Sequence, residues 1–282
     1  MNFGGYECQS GYDDSEIIIV PVPFDTTSSW IKGSDKGVSA IMEASPNLEF
    51  YDIETGSDIR SKGIFTLPEI IVPSADLLVD QVRSTVSGLF DAHKFPVVIG
   101  GNHTATIGSA RAAAEKFENL TVLQLDAHTD LRDAYENSGY NHACVMARVR
   151  EMANIVQVGI RSMAEEELKY CDPERVYFAH QLYYDKGLYD KAIDQLTDVI
   201  YITIDLDVLD PGIMPSTGTP EPGGLQYYEL THFLKKVIAK RNVVAFDVVE
   251  LCPISDNKAP DFLAAKLIYQ ILSYRFGTRR HS

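Results

Sequence analysis

The feature that most constrains the fold of this chain is a series of apolar segments in which polar and apolar residues do not alternate. A strand with one face in water alternates, so a continuous apolar run of about four to eight residues indicates a strand buried on both faces, as in a parallel sheet. The predicted strands are 17–24, 95–100, 121–126, 155–160, 176–179, 199–206 and 243–249.

Amphipathic patterns with helical spacing lie between these segments. The predicted helices are 75–93, 104–117, 142–152, 228–239 and 261–276. Strands that alternate with helices predict an α/β fold with a mainly parallel sheet of about seven or eight strands and helices on both faces. No linker-like segment or internal repeat interrupts the pattern, so residues 1–282 are expected to form one domain.

Charge and composition exclude several classes of partner. The chain has 40 acidic residues against 25 lysines and arginines, and its net charge of -15 argues against a nucleic-acid partner. No apolar run reaches the roughly 18 residues of a membrane span, and the first residues lack a signal-peptide pattern. The four cysteines have no C-x-x-C spacing, which argues against a zinc knuckle or a disulfide framework. We therefore expect a soluble, cytoplasmic protein with no membrane partner.

Polar side chains follow three of the predicted strands. In sheets of this kind the ligand crevice lies beyond the carboxyl ends of the strands. The first strand of the three leads into Gly-Gly-Asn-His, the second into Asp-Ala-His-Thr-Asp, and the third into Asp-Leu-Asp. The six candidate metal ligands at this edge are His103, Asp126, His128, Asp130, Asp205 and Asp207.

Each group alone is weak evidence, because a single histidine after a strand is usually a hydrogen-bonded loop residue. The run from Asp126 to Asp130 is stronger, since alternate side chains leave a strand in the same direction and can converge on one point. Without a cation, so many carboxylates and imidazoles at one edge would place like charges a few ångströms apart.

Two divalent cations would remove that repulsion. The oxygen-rich set of ligands suits manganese better than copper or a thiolate-bound zinc. Two metals about 3.5 to 4 Å apart can bridge a water molecule and lower its pKa toward neutrality. We therefore infer two Mn2+ ions as the cofactor and a bridging hydroxide as the nucleophile.

Two further residues at the same edge suggest a substrate and a proton carrier. Glu250 follows the last predicted strand, where it could be a helix cap or an ion-pair partner, but beside a metal pair it suits bidentate binding of a planar guanidinium. His142 opens a predicted helix and could be a surface residue, although an imidazole near a metal hydroxide is well suited to carry protons.

The chain resembles the ureohydrolases, the arginase and agmatinase family. The matching motifs are I-G-G-N-H at 99–103, V-L-Q-L-D-A-H-T-D at 122–130, T-I-D-L-D-V-L-D-P at 203–211 and T-G-T-P-E-P-G-G at 217–224. Segments 26–45 and 247–253 also resemble the family, so the likeness covers nearly the whole chain. It implies a three-layer α/β/α sandwich of the arginase/deacetylase type, a binuclear manganese centre, and assembly into homo-trimers or homo-hexamers.

The resemblance also implies a role for each site residue. One metal would be held by His103, Asp126, Asp130 and Asp205, and the other by Asp126, His128, Asp205 and Asp207. The hydroxide between the metals would add to the guanidinium carbon, and the intermediate would release urea and an amine. Asp130 would pass the hydroxide proton to the leaving nitrogen, His142 would shuttle protons, and Glu250 would hold the guanidinium.

The loop at 131–141 suggests which small cationic guanidino compound is the substrate. It looks more like the agmatinase form than the arginase form, and Asp133 and Glu136 could receive a distal ammonium. Agmatine is therefore favoured, with guanidinobutyrate, guanidine and arginine as alternatives. Asn102 departs from the acidic residue usual in the family, which could weaken support for His103 and lower metal affinity.

Two other functions are compatible with parts of the pattern. A two-metal phosphoesterase also uses D-x-H and D-x-D clusters, but it needs cationic groups for phosphate, and only Arg132 and Arg161 lie near these segments. A metal-binding homologue without turnover would keep the ligands and have a blocked pocket.

Overall fold

The computed structural model describes residues 1–277, and its centre is an eight-stranded sheet in which every strand pair is parallel. The strands are β1 (Ile17–Val22), β2 (Ile64–Thr66), β3 (Phe95–Gly100), β4 (Thr121–Leu125), β5 (Asn154–Ile160), β6 (Val176–Phe178), β7 (Val199–Asp205) and β8 (Asn242–Val249). All but the ends of these strands are buried, as their continuous apolar sequences predicted.

Helices cover both faces of the sheet. They are α1 (Asp35–Ala44), α2 (Ala75–Asp91), α3 (Ala105–Lys116), α4 (Val145–Val149), α5 (Ala179–Tyr184), α6 (Leu188–Asp194), α7 (Tyr227–Lys240) and α8 (Ala259–Phe276). Successive side chains of β1 enter two separate apolar clusters: Ile17 and Ile19 pack with α1, α7 and α8, whereas Ile18 and Val20 pack with α2, α3 and α4. The predicted three-layer α/β/α class is thus confirmed.

The structure differs from the sequence prediction mainly in short elements. Strand β2 was not predicted, because three residues are too few for a periodic pattern, and α5 and α6 are likewise only one or two turns long. The predicted helix at 142–152 is shorter, a 3-10 turn at His142–Cys144 followed by α4. Helices α7 and α8 begin one and two residues earlier than predicted.

The order of strands, β2-β1-β3-β8-β7-β4-β5-β6, determines where a site can form. The chain passes from β3 to β4 across two positions that β8 and β7 later fill. The connection after β4 leads to β5 on one side, whereas the connection after β7 leads to β8 on the other side. Where connections diverge in this way, a crevice opens at the carboxyl ends of the strands. The carboxyl ends of β3, β8, β7 and β4 therefore lie side by side.

A glycine brings the loop after β3 against the segment that follows β1. A Cβ atom on Gly101 would lie 2.3 Å from the carbonyl oxygen of Phe24, so only glycine fits this close approach. The amide of Asn102 donates to the same oxygen at 2.7 Å. This contact fixes the position of the next residue, His103. Within residues 1–277, no helix is both long and apolar enough to cross a membrane.

Candidate metal centre

Three carboxylates surround the ring of His103, which follows β3. Its Nδ1 atom lies 2.9 Å from Asp130 Oδ2, 3.2 Å from Asp126 Oδ2 and 3.6 Å from Asp205 Oδ2. All four side chains are buried. Asp126 and Asp130 follow β4, and Asp205 ends β7. They meet His103, which follows β3, because β3, β8, β7 and β4 are neighbours in the sheet.

A second group forms around His128. Its Nδ1 atom lies 2.9 Å from Asp207 Oδ2 and 3.6 Å from Asp126 Oδ1. The two oxygens of Asp126 therefore face different histidines, and both groups have the spacing of a metal site. Asp205 lies with the His103 group. The role expected of it as a second bridging ligand stays a prediction.

The chemistry of these donors fits a cation. Among the described residues, Nδ1 of His103 is buried and makes no hydrogen bond, although three carboxylate oxygens lie close to it. Neither a neutral lone pair nor a carboxylate oxygen can donate, so these atoms repel one another unless a proton or a metal cation lies between them. Burial opposes protonation of this ring, but Asp126 and Asp130 raise the pKa of His103 well above its usual value. The donor set suits a hard divalent ion such as manganese.

The pKa values of the carboxylates reflect this crowding. Burial, together with the neighbouring charges of Asp207 and Asp126, raises the pKa of Asp205 well above its usual range. Burial and the charge of Asp126 also raise the pKa of Asp130. Both carboxyls would become easier to ionise if cations were bound, because an adjacent positive charge stabilises a carboxylate.

A short hydrogen-bond chain orients the His103 ring from its Nε2 side, opposite the three carboxylates. Nε2 lies 2.9 Å from the hydroxyl of Thr203, and that hydroxyl donates to Asp247 Oδ1 at 2.6 Å. The hydroxyls of Thr106 and Tyr201 donate to Asp247 Oδ2 at 2.9 and 2.6 Å. Asp247 is completely buried, so its charge is stabilised mainly by these donors.

Asn102 does not support this ring. Its amide donates to the hydroxyl of Thr27 at 2.6 Å, and its oxygen accepts from the backbone of Thr104. The contact to Nε2 of the His103 ring comes from Thr203 and not from residue 102. The expectation that Asn102 lowers metal affinity stays a prediction.

Two buried glutamines hold Asp126. Gln124, on β4, donates to Asp126 Oδ2 at 2.7 Å. Gln157, its partner on β5, donates to the side-chain oxygen of Gln124 and to the carbonyl of Thr129 at 2.8 Å. Neither glutamine was identified from the sequence, because an amide inside an apolar strand has no distinctive pattern.

Glu167 holds the turn that contains Asp130. Its Oε1 atom accepts hydrogen bonds of 2.8 Å from the hydroxyl of Thr129 and from the amide of Leu131, and its Oε2 atom accepts from the amide of Ala164 at 2.7 Å. Asp130, between the two donors, has a φ of 52°, a left-handed conformation that costs free energy outside glycine. The buried Glu167 thus stabilises the backbone that directs Asp130 toward His103.

Glu250 lies beside the His103 group at the end of β8. Its Oε1 atom accepts from the amide of His103 at 2.7 Å, and its side chain lines the pocket. Its own φ is 68°. Burial raises the pKa of Glu250 to about 8, so a cationic group that entered the pocket would favour the ionised carboxylate.

His142 lines the same pocket. Its Nδ1 atom lies 2.6 Å from the carbonyl oxygen of Thr27, which can only accept, so Nδ1 carries the proton. Nε2 then bears the lone pair, 3.4 Å from the hydroxyl of Ser29. Burial lowers the pKa of His142 below its ordinary value of 6.5, so the ring is neutral at pH 7.

The loop expected to receive a distal ammonium lines the pocket only in part. Asp133 accepts from Arg150 at 3.0 Å and from the hydroxyl of Tyr170, and neither Asp133 nor Glu136 is among the residues that line the pocket. Arg150 and Tyr170 hold the Asp133 carboxylate outside the pocket, which argues against its contact with the substrate. The role expected of Glu136 stays a prediction. Arg132, from the same loop, does line it.

Comparisons with known proteins agree with this geometry. The profile of the arginase family matches residues 15–273. An N(1)-aminopropylagmatine ureohydrolase of Synechocystis sp. is 36% identical over 280 residues, 95% of this chain and 92% of that protein. An agmatinase of Pyrococcus horikoshii is 31% identical over 92% of each chain. The crystal structure of the agmatine ureohydrolase of Thermoplasma volcanium superimposes with a TM-score of 0.87 and 32% identity, covering 97% of this chain and 94% of that one.

Proposed function

The chain belongs to the arginase family of ureohydrolases, and on this basis we propose that it hydrolyses the guanidino group of agmatine, or of an aminopropyl-substituted agmatine, to urea and an amine. The observation that carries the proposal is the pair of histidine–aspartate groups that share Asp126 at one end of a pocket lined by Glu250 and His142. Relatives named for agmatine and for aminopropylagmatine support both substrates.

Two Mn2+ ions are the proposed cofactor. The residues proposed to hold them are His103, Asp126, Asp130 and Asp205 for one ion and Asp126, His128, Asp205 and Asp207 for the other. When bound, the two cations would lower the pKa of water and so supply a nucleophile near neutral pH.

The side chains divide the remaining work between binding and proton transfer. Glu250 is proposed to bind the guanidinium by charge-assisted hydrogen bonds, which would fix its carbon close to the metal ligands. Asp130 is proposed to take a proton from the water and deliver it to the leaving nitrogen. The free Nε2 lone pair of His142 faces the pocket, which supports its proposed role in moving protons between the site and solvent.

One observation favours a second class of substrate. Arg132 lines the pocket, and its guanidinium would match the carboxylate of a compound such as guanidinobutyrate. Its side chain already stacks on Tyr135 at 4.8 Å and approaches Glu166 at 3.6 Å, so part of its charge is balanced. We therefore rank an amine-bearing substrate first.

A phosphoesterase has less support. Arg161 donates to the carbonyls of Asp207 and Glu221 at 2.5 and 2.7 Å, so its guanidinium is committed to the backbone. Its contacts hold the Asp207 segment in place and leave it unsuited to bind phosphate.

A urea-release assay with manganese-reconstituted protein tests the proposal. The panel is agmatine, N(1)-aminopropylagmatine, guanidinobutyrate, guanidine and arginine, with p-nitrophenyl phosphate as the phosphoesterase probe. We expect urea from the first two compounds at the highest kcat/KM. Tight manganese binding without urea from any compound would contradict the proposal and favour a non-catalytic homologue.

The proposal also covers the domain organisation, the oligomeric state and the cellular location of the protein. We propose that residues 1–282 form one domain, of which 278–282 lie outside the described residues, and that copies assemble into homo-trimers or homo-hexamers. A cytoplasmic location is supported by four free cysteines. Light scattering after size-exclusion chromatography measures the assembly, and a monomer at working concentration would contradict it.

A further inference from the structure

The chain has one tryptophan, Trp30, and its position in the pocket is unusual. Trp30 lines the pocket that holds the metal ligands, yet 70% of its surface is exposed. The neighbouring Ile31 also lines the pocket and is 40% exposed. A large exposed apolar surface beside a polar site is characteristic of a place where a ligand is received.

The loop that carries Trp30 is anchored at both ends. Asp25 accepts from the amide of Gly33 at 2.7 Å and from the hydroxyl of Ser34 at 2.8 Å, which closes the loop on itself. The carbonyl of Thr27 accepts from His142. The loop that carries Trp30 is therefore fixed beside the pocket, and the exposed ring of Trp30 lies at the part of the lining that is open to solvent.

The carboxylates that line the pocket lie at its buried end. Asp130, Asp205 and Glu250 belong to the buried end, with the His103 group. Glu167 also lines the pocket, but both its oxygens already accept hydrogen bonds from the turn at Asp130 and from Ala164. A cationic substrate chain that extends outward from the guanidinium lies beyond these carboxylates.

Aromatic faces in the pocket lining also attract a cation. The ring of Tyr135 also lines the pocket, but the guanidinium of Arg132 lies over it at 4.8 Å. The exposed face of Trp30 is open to solvent. Tryptophan binds cations most strongly among the aromatic side chains, and its face also packs against methylene groups.

We propose that Trp30 is a specificity-determining residue that receives the ammonium-bearing alkyl chain of the substrate beyond its guanidinium. The inference rests on the proposed function, because it takes the guanidino group to lie at Glu250. The electron-rich face of the ring attracts an ammonium and does not attract a carboxylate. Trp30 therefore favours guanidino-alkylamines over guanidino acids.

The fluorescence of this single tryptophan gives a direct test by binding. Manganese-loaded protein is mixed with agmatine in a stopped-flow instrument, and emission is recorded before turnover. The matched control is guanidinium chloride, which fills the guanidinium position without a chain. We expect a saturable change of intensity or wavelength with agmatine and none with guanidinium. Unchanged emission with agmatine, or an equal change with guanidinium, overturns the proposal.

Three variants test the same proposal by kinetics. Trp30→Leu should raise KM for agmatine by about two- to fivefold with little change in kcat, as expected for an exposed cation–π contact. Trp30→Phe keeps an aromatic face and should recover part of the loss. Tyr184→Leu removes an aromatic side chain that is 84% exposed and lies outside the pocket lining, and it should leave KM unchanged.

The outcomes separate this inference from the proposed function. An unchanged KM in Trp30→Leu, or an equal loss in Trp30→Phe, overturns the role of Trp30 while urea release still supports the function. Saturable emission without urea from any substrate contradicts the function and supports the role of Trp30 in binding. A KM for guanidinobutyrate that rises as much as that for agmatine also overturns the inference, since the ring should not attract a carboxylate.

Discussion

Nε2 of His103 lies 2.9 Å from the hydroxyl of Thr203, and this contact determines which ring nitrogen is free. Thr203 donates its proton to Asp247, so the hydroxyl can only accept from the ring. Nε2 therefore carries hydrogen, and the lone pair on Nδ1 faces Asp126, Asp130 and Asp205. The tautomer suited to metal binding is fixed by a residue on β7 and an acid on β8.

Asp247→Asn should lower the manganese affinity of the protein by about 10-fold or more. The amide weakens the acceptor for the Thr203 proton, so the His103 ring loses part of its orientation. Competition with a fluorescent chelator measures the affinity, and circular dichroism checks that the variant is folded. The matched control is Tyr201→Phe, which removes one of three donors to Asp247 and leaves the Thr203 contact in place. It should have a smaller effect, and equal losses in both variants would assign Asp247 a purely structural role.

Asp126→Ala should abolish binding of both metals, whereas Asp207→Ala should leave one bound. The reason is that Asp126 directs one oxygen to His103 and the other to His128, whereas Asp207 directs an oxygen to His128 and not to His103. Metal content after dialysis, measured by inductively coupled plasma mass spectrometry, gives the stoichiometry. Asp133→Ala alters an exposed acid outside the pocket and serves as the control. Equal metal content in the Asp126 and Asp207 variants would refute the shared role of Asp126.

Glu250→Gln should keep two metals bound and lower kcat/KM for agmatine by about 30-fold or more, the cost of removing one charge from a buried pair. The amide keeps the size of the side chain and an oxygen for the amide of His103, so the loss reports the missing charge. Steady-state urea release measures it. Glu118→Gln, which alters an exposed acid outside the pocket lining, is the control. Normal kcat/KM in Glu250→Gln would show that another group binds the guanidinium.

His142→Ala should slow turnover by about 100-fold, as expected for loss of a proton carrier. Because burial lowers the pKa of His142, the ring is neutral at pH 7 and gains a proton only below pH 6.5. Activity that needs the free Nε2 is therefore present above that range and falls as the pH drops through the lowered pKa. The acid limb of the kcat profile should lie below pH 6.5 and disappear in the variant. The exposed His180→Ala is the control, and an unchanged profile in His142→Ala would reduce His142 to a loop residue.

The sequence predicted the fold and the position of the site for the same physical reason. Buried parallel strands are continuous apolar runs, and the first polar residues after them lie at one edge of the sheet. This reasoning predicts that His103, Asp126 and Asp205 lie at one edge, and the structure places them together there. The family resemblance drawn from the motifs and the arginase-like fold are both confirmed. The catalytic roles of these residues stay predictions.

The supporting residues could not be predicted, because their function depends on contacts that no local pattern encodes. Gln124 and Glu167 position the proposed metal ligands Asp126 and Asp130 through hydrogen bonds that form only when β4, β5 and the loop after β5 assemble. The same limit applies to Asp133, which the sequence suggested as an acid that could receive the distal ammonium of the substrate. Its partners, Arg150 and Tyr170, lie 17 and 37 residues away along the chain.

The strand order also dictates when the site can form during protein synthesis. Strands β7 and β8 occupy the middle of the sheet, although the ribosome produces them after all the others. Until they emerge, the half that contains β3 and the half that contains β4 have no strands to join them. The full set of site residues therefore exists only after β8 has been made, because Asp205 ends β7 and Glu250 follows β8.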